Sequence, residues 1–277
     1  MSAHGLPDGS IAFIGGGNMA RSLIGGLRRQ GMAPERIRVA DPVAATRDAL
    51  AADFGIAVFD DARQAVTGCD TWMLAVKPQI MQAACAPLAD SARRQRPLLV
   101  SIAAGTPVAR LQQWLGDDLP VVRCMPNTPA LLGAGVTGLF AGAGVDARQR
   151  AAAEALLRSA GATVWVDEES LIDAVTAVSG SGPAYVFLLA EAMERAAIAE
   201  GLAADDARTL VVQTLLGAGR MLVEDGAAPE ELRRRVTSPG GTTQAALDSF
   251  AQGGFSALVA DAVHAARLRG AALARGD

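Results

Sequence analysis

The residues best placed to do chemistry form a glycine loop near the N-terminus. Gly15-Gly16-Gly17-Asn18-Met19-Ala20 fits the spacing G-x-G-x-x-G/A, directly after the apolar run Ile11–Ile14 and before a helical pattern over residues 22–30. Gly15 permits a tight strand-to-helix turn, Gly17 lets a pyrophosphate approach the backbone, and Ala20 lets the helix lie close to the sheet. The helix start then offers unpaired N–H groups and the positive end of its dipole to the phosphates. Alone the pattern is weak; at the first strand–helix junction of a chain that keeps alternating it is a strong sign of a bound dinucleotide. The end of the second strand, where the ribose is read, carries Asp41-Pro42, with Arg47 six residues on. The carboxylate favours NAD and a nearby arginine favours NADP, so these residues leave the choice open.

Other loops should end at the same edge of such a sheet, where ligands of open α/β folds lie. They are Ala75-Val76-Lys77-Pro78, containing the chain's one lysine, Ala103-Ala104-Gly105, and Pro126-Asn127-Thr128-Pro129, rigid enough to hold a nicotinamide. In the second half, Ser179-Gly180-Ser181-Gly182-Pro183 and Ser238-Pro239-Gly240-Gly241-Thr242-Thr243 read as entrances to helices. The latter gathers hydroxyls and free N–H groups suited to a carboxylate, alongside ordinary helix capping by Ser or Thr. No His, Cys or Tyr occupies a plausible proton-donor motif. Reduction of a carbonyl to an alcohol needs such a donor. A protonated imine accepts hydride without one, given groups that orient it.

These loops must be held by elements, and the two halves differ in pattern. Short β-rich runs near 11–14, 36–40, 56–59, 71–76, 98–102, 121–124 and 163–166 alternate with helical stretches, which indicates a parallel sheet covered on both faces. After about residue 167 only helices are expected, over 183–200, 205–223, 229–236, 243–250 and 255–274. The fold class is therefore α/β: an N-terminal Rossmann domain, parallel and doubly wound, over 1–168, and an all-α domain over 169–277. Several of the Ala/Leu-rich helices are apolar on more than one face, which predicts that a second copy covers them.

Composition narrows the class further. Aromatic residues make up 4% of the chain against 51% hydrophobic, so the core is built from small aliphatic side chains that suit close helix packing. A net charge of −4 with no basic tail gives no nucleic-acid footprint. Two histidines, His4 and His264, and three scattered cysteines form no metal site; the cysteines read as free thiols in a reducing compartment. The polar residues 1–10 do not read as a signal peptide, and the uncharged stretch 124–145 is too rich in Gly and Pro for a membrane span, so a cytoplasmic protein is expected.

Taken together the motifs resemble those of the pyrroline-5-carboxylate reductase family over nearly the whole chain. Residues 13–20, 75–78, 103–105 and 123–129 are similar to its cofactor loops. Residues 172–176 through 179–185, and Val236-Thr237-Ser238-Pro239-Gly240-Gly241-Thr242-Thr243, are specific to it. The resemblance implies NAD(P)H-dependent reduction of 1-pyrroline-5-carboxylate to L-proline, in a site between the Rossmann domain of one subunit and the helical dimerisation domain of its partner. It implies a dimer and admits a pentamer of dimers, with no nucleic-acid or membrane partner. Cofactor contacts carry over to Ile14, Gly15, Gly16, Gly17, Asn18, Met19, Asp41, Ala75, Val76, Lys77, Pro78, Ala104 and Asn127. Substrate contacts carry over to Glu169, Ser238, Gly240, Gly241, Thr242 and Thr243, with Thr243 beside the substrate nitrogen as the catalytic residue. Asp41, where some relatives have Ser, and Ala62, where some have Asn, depart from the pattern near the adenine ribose; the expected cofactor is NADP, with NAD also admitted. A β-hydroxyacid dehydrogenase would place a lysine on a helix of the second half, where this chain has none. A sensor that only binds the dinucleotide would leave the 238–243 loop without a task.

Overall fold

The computed structural model describes residues 5, 6 and 9–275. His4 and part of the polar segment 1–10 lie outside them. The chain divides into two compact units, one running through Ser181 and taking in the chain again from Ala266, the other comprising Gly182–Ala265.

The first unit is built on eight strands: β1 (Ile11–Ile14), β2 (Ile37–Ala40), β3 (Ala57–Phe59), β4 (Thr71–Leu74), β5 (Leu98–Ser101), β6 (Val121–Met125), β7 (Gly135–Ala141) and β8 (Gly161–Trp165). They form one sheet in the order β3-β2-β1-β4-β5-β6-β7-β8, the Rossmann arrangement expected. Every position of β1, β4 and β5 is buried, which is why these strands read as continuous apolar runs. Successive β1 residues feed opposite faces: Ile11 and Phe13 enter one core cluster, Ala12 and Ile14 the other. The covering helices are α1 (Asn18–Arg29), α2 (Ala44–Phe54), α3 (Ala62–Val66), α4 (Pro78–Cys85), α5 (Ala89–Gln95), α6 (Val108–Leu115), α7 (Ala147–Arg158) and α8 (Leu171–Val175).

One strand escaped the sequence reading. β7 pairs antiparallel with β6, the single antiparallel step in an otherwise parallel sheet. Its glycines hid it, and both answer to close approach. A Cβ on Gly135 would lie 2.8 Å from the Ala130 Cα, and one on Gly138 would lie 2.5 Å from the Val175 Cγ1.

The second unit is helical: α9 (Gly182–Ala199), α10 (Ala204–Glu224), α11 (Pro229–Arg235), α12 (Thr242–Gln252) and α13 (Phe255–Arg275), whose last turns belong to the first unit. Its buried hydrophobic side chains are Ala207, Val211 and Leu232, whereas Phe187, Leu188 and Leu258 are each at least 65% exposed. The segment 179–183, expected as an entrance to a helix, is itself part of the helical run, with a bend at Ser181. α8 passes through one π-helical turn (Thr176–Gly180) into α9, and the resulting helix Leu171–Ala199 is long and apolar enough to cross a membrane by length and composition.

Candidate functional site

The glycine loop sits where the strand order reverses, between β2 and β4. Gly15 N–H donates to the Ala40 carbonyl and Ala75 N–H to the Ile14 carbonyl, so the ends of β2, β1 and β4 are joined at this level. Gly15 has φ +100°, and a Cβ there would come within 2.7 Å of the Ala75 carbonyl oxygen. Gly15 is thus required by the protein's own backbone. Gly17 is different. Its φ of −65° suits any residue, and a Cβ on it would meet nothing within 4 Å. No packing among the described residues demands a glycine there, whereas a pyrophosphate lying on the backbone does.

Gly17 is also the N-cap of α1, and no side chain caps the helix. The first intrahelical bond is Arg21 N–H to the Gly17 carbonyl, which leaves the N–H groups of Asn18, Met19 and Ala20 without a helical acceptor. Gly17 and Asn18 are exposed, Met19 is half-buried, and Ala20 is sealed into the core as the packing residue. These features fit a dinucleotide held by Ile14 to Met19.

At the ribose position the Asp41 carboxylate is already engaged. Its Oδ2 accepts from Gly16 N–H at 2.9 Å and its Oδ1 from Val43 N–H at 2.9 Å. Arg47 turns back to donate to the Asp41 and Pro42 carbonyls rather than reaching outward. Asp41 therefore places a negative charge beside the loop and braces it, while a carboxylate keeps lone pairs for a hydroxyl. Ala62 opens α3, behind the Asp61 N-cap.

After β4, Ala75 and Val76 are half-buried, and a Cβ on Gly15 would come within 2.9 Å of the Val76 Cγ1. Lys77 is exposed as the N-cap of α4, with Pro78 at the first helical position. Ala104 is half-buried in the turn after β5, where Gly105 faces Leu273 near the end of α13. Asn127 lies beyond β6. Its Oδ1 accepts from Val136 N–H at 2.9 Å and its Nδ2 donates to the Ser179 carbonyl at 3.1 Å, so its carboxamide is held by the protein itself.

Glu169 is likewise occupied. Its Oε1 accepts from Val108 N–H at 2.8 Å, capping α6, and from Arg123 Nη1 at 3.2 Å. Arg123, 3% exposed on β6, also reaches Asp173 at 3.5 Å, and its Nε is buried without a partner among the described residues. The sequence reading gave Arg123 no task of its own. The available signal was its place inside the apolar run Val-Val-Arg-Cys-Met, since a cation in a buried strand must be paired.

The remaining predicted residues belong to the second unit. Ser238 opens a turn in which its carbonyl accepts from Gly241 N–H at 3.0 Å, with Gly240 at φ +71°. Gly241 is the N-cap of α12, and Thr242 and Thr243 are its first two residues. The expected capping by Ser or Thr does not occur, because the N-cap is a residue without a side chain. As at α1, the first N–H groups remain free for an anion, here beside the Thr242 and Thr243 hydroxyls. Just upstream, Arg234 and Arg235 donate to Glu231, whose carboxyl these hydrogen bonds hold below its usual range. Arg235 also pairs with Asp225 at 3.0 Å.

Comparison with known proteins gives a consistent picture. Residues 169–273 match the family model described as pyrroline-5-carboxylate reductase dimerisation, and residues 10–105 match NADP oxidoreductase, coenzyme F420-dependent. The chain is 53% identical over 264 residues to the pyrroline-5-carboxylate reductase of Pseudomonas aeruginosa, covering 95% of this chain and 96% of that one. Among solved structures it is similar to a pyrroline-5-carboxylate reductase from Coxiella burnetii, with a TM-score of 0.93 at 40% identity over 96% of this chain and 98% of the other. It is also similar to the pyrroline carboxylate reductase of Plasmodium falciparum with NADP bound, with a TM-score of 0.84 at 26% identity over 98% of this chain and all of the other. A dinucleotide loop left open by its own packing, an uncapped helix start beside two threonines, and this likeness over both units lead to one assignment: the chain belongs to the pyrroline-5-carboxylate reductase family.

Proposed function

We propose that this protein is an NAD(P)H-dependent oxidoreductase that reduces 1-pyrroline-5-carboxylate to L-proline, the final step of proline biosynthesis. The observation that carries the reading is the relationship, over 95% of the chain, to a protein named for that activity. The geometry supports it from both units. The cofactor is NADP, as in the Plasmodium falciparum relative, with NAD also admitted because the Asp41 carboxylate stands beside the glycine loop at the end of β2. When bound, the reduced nicotinamide supplies the hydride that converts the imine C=N to a C–N single bond.

The protein's own residues bind and orient. Ile14 to Met19, Asp41, Ala75 to Pro78, Ala104 and the backbone at Asn127 receive the dinucleotide. Ser238, Gly240, Gly241, Thr242 and Thr243 receive the substrate carboxylate on the α12 start, with the Thr243 hydroxyl towards the ring nitrogen. Glu169 stands near the substrate through its place beside Arg123. Since the imine nitrogen keeps its proton, no side chain has to deliver one. The dinucleotide-binding domain is assigned to residues 1–168 and the substrate and dimerisation domain to 169–277, although 169–181 and the last turns of α13 cluster with the sheet unit. The exposed apolar helices of 182–265 associate with a second copy in a cytoplasmic dimer, which a pentamer of dimers extends.

The test is NADPH oxidation by the purified protein with 1-pyrroline-5-carboxylate, set against a panel of 2-ketoacids and other imines. Turnover confined to the cyclic imino acid is expected. Preference for a ketoacid would replace this reading with a hydroxyacid dehydrogenase.

A further inference from the structure

In a regular helix the Ser179 carbonyl would accept from the N–H of residue 183, but residue 183 is proline and has none. Just before the proline the chain makes the π-turn Thr176–Gly180, in which Ser181 N–H reaches back to the Thr176 carbonyl at 2.8 Å and leaves the Ser179 carbonyl unserved. A single π-turn inside a long helix is a feature often found at functional sites. The carbonyl that proline deprives of its donor is the one that Asn127 fills, through Nδ2 at 3.1 Å.

The orientation of the Asn127 carboxamide follows from its partners. A backbone N–H, that of Val136, can only donate, and a backbone carbonyl, that of Ser179, can only accept. Oδ1 must therefore face Val136 and Nδ2 must face Ser179. One side chain thus ties the loop after β6 to the first residues of β7 and to the π-turn. The surrounding contacts leave little slack. A Cβ on Gly180 would lie 2.6 Å from the Met125 Cε, and the Ser179 and Thr176 hydroxyls are turned onto their own helix, donating to the Val175 and Ile172 carbonyls.

We propose that Asn127 is a positioning residue: its carboxamide fixes the Pro126–Pro129 loop, at the nicotinamide end of the cofactor edge, to the π-turn from which α9 departs. The inference rests on the reductase reading for its effect on turnover, and on the hydrogen bonds alone for its effect on the backbone. Asn127 acts through loop and helix, not by gripping the dinucleotide.

Three variants test this. Asn127→Ala removes both bonds. Asn127→Asp keeps the size and the acceptor for Val136 N–H, but sets an oxygen against the Ser179 carbonyl, so it serves if the alanine variant folds poorly. Asn127→Ala with Pro183→Ala, measured against Pro183→Ala alone, returns a backbone donor to Ser179 without restoring the tether. Displacement of the reacting groups by about 1 Å costs up to ~100-fold in rate, so kcat should fall roughly 10- to 100-fold in the single variants while the NADPH dissociation constant stays within about threefold. Hydrogen–deuterium exchange should rise at Val136 and across 176–183 whether or not turnover is measured. The double variant should regain thermal stability but not kcat. Normal kcat in a folded single variant, unchanged exchange at those residues, a defect lying wholly in NADPH affinity, or recovery of kcat in the double variant would each overturn the proposal. A wild-type protein inactive on 1-pyrroline-5-carboxylate would instead remove the reductase reading, and the exchange result would still decide the tether.

Discussion

The two units differ in how much of their apolar surface they seal by themselves. Around the sheet, Trp72, Phe13, Leu23, Leu74 and Met81 are all fully buried, and the cysteines lie inside the same packing. In 182–265 the helices α9 and α12 bury no residue at all, and Phe187, Leu188, Leu216 and Leu258 face outward. A parallel sheet with helices on both faces is a closed solution to burial. A few long Ala/Leu-rich helices are not, and become one when a second copy supplies the missing face. The two units also differ in the anion-receptive features they carry. The sheet unit offers a glycine loop braced by Asp41, whereas the helical unit offers an uncapped helix start with the Thr242 and Thr243 hydroxyls beside free backbone N–H groups.

The largest effect should follow from breaking the open face. If α9 lies in the interface between two copies, Phe187→Asp removes an aromatic contact twice, once from each copy. At about 1.5–3 kcal/mol per buried side chain, the dimer dissociation constant should rise by roughly two to four orders of magnitude. Sedimentation velocity reads this directly, and an unshifted dimer would show that α9 faces something else. Next comes Gly17→Val. The empty space over Gly17 lets the variant fold, so thermal stability should hold while NADPH affinity by calorimetry falls at least about 100-fold, the pyrophosphate having lost its approach to the backbone. Near-normal affinity would displace the dinucleotide from this loop.

Thr243→Ala should cost less. One hydrogen bond to a charged group, about 1.5–3 kcal/mol, corresponds to a loss of roughly 10- to 150-fold in kcat/KM. Thr243→Val should match it, and NADPH affinity should barely move. A loss of many orders of magnitude with the fold intact would mean that the hydroxyl delivers a proton, contrary to the imine chemistry argued above. The smallest effect is a non-reaction. Burial pushes the Cys85 thiol up to about 12 and raises those of Cys69 and Cys124 as well. A thiolate-directed reagent at neutral pH should therefore label the native protein slowly and the unfolded protein rapidly. Fast labelling of Cys85 in the native state would show that the sheet unit opens more readily than its packing indicates.

Much of this was legible in the sequence because the cause was local. Ile11–Ile14 followed by the glycine loop reads as a strand and turn from its own residues, since the apolar run and the glycines that permit the turn adjoin in the chain. What escaped was set by partners far along the chain. β7 was masked by Gly135 and Gly138, which make sense only against Ala130 and Val175. The run 179–183 looked like a loop because its Gly, Ser and Pro disfavour an α-helix, yet a π-turn and an asparagine 52 residues away hold it helical. The sequence marks Asn127 and Glu169 as site candidates, but their hydrogen bonds to Ser179, Val136, Val108 and Arg123 are tertiary facts that spacing does not encode.

The central claim is hydride delivery to the imine carbon of a cyclic imino acid. The most direct measurement is turnover of 1-pyrroline-5-carboxylate with NADPH deuterated at the transferring position of the nicotinamide, followed by mass and NMR analysis of the product. L-proline carrying one deuterium on the ring carbon bonded to nitrogen and distant from the carboxylate, with none elsewhere, is expected. Proline without the label, label at another carbon, or consumption of NADPH without proline would contradict it.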